Sequence, residues 1–135
     1  MSQIYANDLI LGDWVMNEFG EIQQVRQLKD GFAMLDYNVW YEEEDLKGVP
    51  LTAEILEKNG FVKSRNAYKY ERYAGDGYQT ITLTNRLDGL WDVKVVDYDK
   101  FNDSESTCEK ANKFLKVHEL QHIIKDCDIE KEIVL

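Results

Sequence analysis

The sequence predicts an α+β fold in one domain, and three observations carry that expectation. Short alternating apolar runs, broken by turn residues, fill the first third of the chain. A capped apolar segment follows Pro50 and is succeeded by runs rich in Tyr, Thr, Ile and Val. Near the C-terminus, apolar residues recur at helical spacing. The chain has 135 residues, 44% of them hydrophobic and 12% aromatic, which is enough to bury a real core.

Leu9 to Met16 reads as a turn into a strand, Asn17-Glu18-Phe19-Gly20 as a turn, and Glu21 to Leu28 as an alternating strand with one slip that suits a bulge. Asp30-Gly31 is a further turn before Phe32-Ala33-Met34-Leu35. Short strands joined by tight turns predict a small, curved, antiparallel sheet of SH3-like character over residues 1–49. The acidic run Glu42 to Asp45 reads as a solvated loop.

In the remainder, 50–135, Thr52 is a good helix N-cap. Glu54 suits the dipole of the first turn, and Gly60 suits the left-handed C′ position with Phe61 folding back. A three-stranded β-meander is expected next: Ala67 to Tyr73, Tyr78 to Thr84 and Leu90 to Tyr98, with turns at Gly75-Asp76-Gly77 and Asp88-Gly89. Ser106 with Glu109 three positions on fits a capping box, so the last segment reads as a helix from Ser106. Its apolar stripe is Phe114, Val117, Leu120, Ile124 and Cys127. Cys108 and Cys127 both fall in that helical region, too far apart to bridge. The expectation is therefore a reduced, cytoplasmic protein without a secretory signal. The Ile133-Val134-Leu135 tail is an element that packs, pairs or frays.

Net charge −10 argues against a nucleic-acid backbone as partner and favours a basic protein partner. Mimicry of nucleic acid is a special case of the same idea. No apolar run reaches the roughly 20 residues of a membrane span.

The string most suggestive of chemistry is His118-Glu119-Leu120-Gln121-His122, which holds both histidines of the chain. On a helix the two imidazoles lie one turn apart and can grip zinc, while Glu119 can act as general base. Asp128, or alternatively Asp126, would be the third ligand. Against this, Lys125 stands where long zinc-protease motifs place a turning glycine. At about 100° per residue the histidines flank the core stripe, and Glu119 falls nearly opposite it. No elbow nucleophile, P-loop or dinucleotide fingerprint is present.

Three stretches carry a resemblance across nearly the whole chain. They are Ala6-Asn7-Asp8-Leu9 with Gly12-Asp13-Trp14-Val15, then Val49-Pro50-Leu51-Thr52-Ala53-Glu54-Ile55-Leu56-Glu57-Lys58-Asn59-Gly60-Phe61, then Val117-His118-Glu119-Leu120-Gln121-His122. The pattern resembles small proteins of gut-anaerobe genomes, their prophages and other mobile elements, a family with no assigned activity. That family usually has Gln at the position of Glu119 and Asn at that of His122, exchanges no zinc site survives. The resemblance therefore implies that this helix is a shared structural element and that the string is a local variant. This chain departs from the family's usual ending, carrying Ile129-Glu130-Lys131-Glu132-Ile133 instead.

The reading that follows is a non-enzymatic, acidic interaction module encoded by a phage or mobile element, with no cofactor and no membrane partner. Trp14, Trp40, Tyr41, Tyr68, Tyr70 and Tyr78 are its candidate interface, because exposed aromatics anchor protein interfaces. Two alternatives stand beside it. One is a small zinc hydrolase with His118, His122 and Asp128 as ligands and Glu119 as base. The other is a homo-oligomeric assembly protein using the C-terminal helix and tail.

Overall fold

The structure is a computed structural model, and it describes residues 4–74, 77–85, 90–99, 103–113, 115–127, 129 and 131–135. The turns expected at Gly75-Asp76 and Asp88-Gly89, the stripe residue Phe114 and the ligand candidate Asp128 lie outside those residues. The chain divides into two compact units. The first comprises Met1–Pro50 and Lys116–His122, the second Leu51–Leu115 and Ile123–Leu135.

In the first unit, short strands follow one another in quick succession: β1 (Trp14–Met16), β2 (Ile22–Gln24), β3 (Gln27–Lys29), β4 (Phe32–Met34), β5 (Trp40–Glu42) and β6 (Lys47–Gly48). Two antiparallel three-stranded sheets result, ordered β2-β1-β6 and β3-β4-β5. Alternation places Val15, Val25, Ala33 and Leu35 inward, where they join Ile4, Leu9 and Leu46 in one apolar cluster. Turns at Ala6–Asp8 and Glu43–Asp45 are 3-10 in character, and the Glu43 carboxylate ties them by accepting from the Ala6 amide at 2.8 Å.

The second unit opens with α1 (Ala53–Lys58). Thr52 Oγ1 accepts from the Ile55 amide at 3.3 Å, so the N-cap forms. At the other end Gly60 adopts φ +87°. The Gly60 amide donates to the Glu57 carbonyl and the Phe61 amide to the Leu56 carbonyl, the paired bonds of a Schellman motif. Phe61 is buried and its ring meets Tyr70, centroids 5.6 Å apart.

A five-stranded antiparallel sheet follows: β7 (Val62–Ser64), β8 (Ala67–Ala74), β9 (Gly77–Asn85), β10 (Leu90–Asp99) and β11 (Ser104–Lys113), in the order β11-β10-β9-β8-β7. Two expectations are corrected here. The meander has five strands, not three, and the segment from Ser106 is an edge strand, not a helix. Ser106 and Glu109 have capping-box spacing, but on β11 they lie opposite Asp97 and Lys94, and the Glu109–Lys94 pair sets opposite charges across the ladder. Cys108 sits on this strand while Cys127 follows the next helix, so the two do not share a helix.

That helix is α2 (Val117–Asp126), entering the first unit with Val117–His122 and the second with Ile123–Asp126. Val117, Leu120, Ile123 and Ile124 are its buried stripe. Beyond it, Ile133 is buried and Val134 is held in a two-way clasp. The Val134 amide donates to Asn59 Oδ1 at 2.7 Å, and Asn59 Nδ2 donates to the Val134 carbonyl at 2.9 Å. No described helix is long and apolar enough to cross a membrane.

Candidate functional site

The first turns of α2 carry the site. Lys116 precedes the helix and bridges to Pro50, and the Val117 amide donates to the Val49 carbonyl at 2.9 Å. Glu119 reaches back so that its Oε1 accepts from the Lys116 amide at 2.8 Å, the reciprocal half of a capping box. That carboxylate is thus engaged in holding the helix start.

His122 Nε2 lies 2.6 Å from Oδ2 of Asp13, a carboxylate only 1% exposed. The same oxygen accepts from the Ile10 amide at 2.9 Å, while Oδ1 is buried with no partner among the described residues. Between the histidines, Gln121 grips the backbone on either side of Asp13. Its Oε1 accepts from the Trp14 amide at 2.9 Å and its Nε2 donates to the Gly12 carbonyl at 3.1 Å. Two consecutive helical side chains therefore fix the Gly12–Trp14 segment.

His118 stands one turn back, its ring edge-on to that of His122 with centroids 5.8 Å apart. Its Nδ1 is buried without a partner among the described residues. The ring packs on the backbone of Gly48, where a Cβ would lie 3.1 Å from His118 Cε1 and 2.8 Å from Lys116 Cγ, so only glycine leaves room. Burial pushes the His118 imidazole below its ordinary value of 6.5. The Glu119 and Asp13 carboxylates oppose that shift, and His122 and Lys116 add to it. At neutral pH His118 is uncharged.

A cavity of about 270 Å³ opens on these groups, lined among others by Tyr5, Asp8, Lys116, His118, Glu119 and His122. The arrangement offers a neutral imidazole, a carboxylate–imidazole pair and a capping carboxylate, groups able to take up or pass on a proton. Among the described residues no group of three or more His, Cys, Asp or Glu is arranged to hold a metal ion. Asp126, the other candidate third ligand, is exposed at the last position of α2.

The candidate interface residues scatter. Trp40 is exposed on β5 with the Lys29 ammonium 4.4 Å above its ring, whereas Trp14 and Tyr41 are half-buried. Tyr68 is buried, and Tyr70 and Tyr78 are half-buried. Tyr78 stacks with Tyr98 at 5.1 Å and stands 6.3 Å from Tyr73, which is fully presented to solvent.

Asp13 and Gln121 were not legible as site residues, though each lies inside a stretch that carries the family resemblance. Tyr37, 82% exposed, was missed because nothing marks the loop that presents it. Comparison of the chain with protein-family models, with curated proteins and with solved structures finds no match.

Proposed function

We propose that this protein is a non-enzymatic interaction module whose first unit receives a basic segment of a partner protein, and that it serves a phage or mobile element. The observation that carries the reading is the loop between β4 and β5. Tyr37 and Asn38 both adopt left-handed backbone, φ 70° and 59°, and Tyr37 is 82% exposed. A bulky residue held there costs on the order of 1–3 kcal/mol. The cost is borne because Asp36 anchors the loop, accepting from the Gln24 amide at 3.0 Å and from Arg26 Nε at 2.7 Å.

The result is an aromatic side chain aimed at water, followed by exposed Val39 and Trp40, with Phe32 exposed on the adjacent strand. Strain spent on presenting apolar surface suits recognition better than stability. Beside this patch stand Glu42 and Glu44. Hydrogen bonding to Glu44 and its charge push the Glu42 carboxyl above its ordinary value, with Asp45 adding to the effect. A cationic partner relieves that repulsion, in keeping with the net charge of −10. The strand order and the 3-10 turn before β6 support reading this unit as SH3-like.

A library of short peptides combining Lys or Arg with aliphatic residues, displayed against the intact protein, tests the proposal. Selected peptides bind more weakly as salt rises and lose about tenfold in affinity with Tyr37→Ala or Trp40→Ala. Failure to select any peptide, or equal binding by both variants, overturns it. A zinc-hydrolase reading is not favoured, since Glu119 is occupied as a cap and His122 Nε2 by Asp13.

A further inference from the structure

We infer that His118 is an acid-sensitive joint: its protonation releases the first turns of α2 from β6 and from the Gly12–Trp14 segment. The geometry allows one positive charge at this place but not two. Asp13, sealed from solvent, already faces His122 Nε2 at 2.6 Å and can balance an imidazolium there. A second proton on His118 would sit one turn away with ring centroids 5.8 Å apart, and its Nδ1 has no partner among the described residues.

Every neighbouring element bears on that charge. On α2 itself stand His122, Glu119 and, just before it, Lys116. Glu119 Oε1 already accepts from the Lys116 amide, and the Lys116 ammonium opposes a second cation. The loop before β1 contributes Asp13, already engaged. The turn at Ala6–Asp8 contributes Asp8, which lines the same cavity. From β6 the backbone of Gly48 packs against the ring and cannot solvate it.

The sign follows from linkage. The folded state disfavours the protonated form, so the stabilisation from neutral His118 is fully present above the ordinary 6.5 and is lost as pH falls below it. The cavity wets one side of the ring, but water reaches the sealed Nδ1 only if the helix start lifts, and the Gln121 bonds to Gly12 and Trp14 loosen with it. The device is a local opening, smaller than global unfolding.

The chain's two histidines make the test clean. Imidazole Cε1–H signals are followed by NMR from pH 8 to pH 5 in the intact protein, assigned with His118→Asn. The protection factor of the Trp14 amide against hydrogen exchange is measured at pH 7 and pH 5. The expected result is that His118 titrates below 6.5. Trp14 protection falls on acidification, by about tenfold for a helix start that opens more readily. His118→Asn abolishes the fall. A His118 signal that titrates at 6.5 or above, or Trp14 protection unchanged between the two pH values in the parent chain, overturns the inference. Should His118→Asn fail to fold, the parent's two signals and its Trp14 protection decide the matter alone.

Discussion

Asn59 in the second unit and the Asp13–His118 cluster in the first both hold polar atoms sealed from water, and they are built on opposite terms. Asn59 spends its amide fully: Nδ2 donates to the Ile55 and Val134 carbonyls at 2.8 and 2.9 Å, and Oδ1 accepts from the Val134 amide. Asp13 Oδ1 and His118 Nδ1, by contrast, are buried with no partner among the described residues. A satisfied buried network rigidifies, whereas a half-satisfied one stores free energy that a proton or a movement can release. The contrast separates architecture from a place that responds.

Substitutions can break or sharpen this contrast. The largest effect is expected from Asn59→Ala, which strands the Val134 amide and carbonyl and takes one of two donors from the Ile55 carbonyl: about 2–4 kcal/mol lost in urea unfolding and no change in the loss between pH 5 and 8. A pH-dependent loss would mean the clasp is not a purely structural element. Gln121→Ala removes two bonds to backbone and should cost about 1–3 kcal/mol. Here the loss should shrink toward pH 5, where the parent joint opens more readily, and equal losses at both pH values would count against the acid-sensitive joint. The smallest effect belongs to Thr52→Ala, an exposed cap, at about 1 kcal/mol in thermal melts with no pH dependence. It calibrates the other two as a single bond outside either cluster.

Legibility in the sequence divides along a similar line. The α+β class and the short helix were readable because local chemistry decides them. Thr52, Gly60 and Phe61 act on backbone within a few residues of themselves, and the structure uses all three for the ends of α1. The segment from Ser106 misled for the opposite reason. Its spacing of Ser106 and Glu109 suits a helix start, yet a ten-residue ladder with β10 outweighs a local cap.

The candidate site fared the same way. The string of two histidines was conspicuous, but its meaning depends on Asp13, more than a hundred residues away in the chain. Only the fold brings that carboxylate to His122, and no periodicity announces it. Tyr37 escaped notice because its exposure follows from left-handed backbone at a non-glycine residue, which composition does not foretell.

The two side-chain amides also leave the protein with a matched pair of clocks. The Trp14 N–H is held by Gln121 in the first unit and the Val134 N–H by Asn59 in the second. An amide outside any helix or strand ordinarily exchanges its hydrogen quickly, yet that of Val134 must wait for Asn59 to let go. Read side by side in deuterated water, the two protons time the opening of each unit separately, with no label added to the chain.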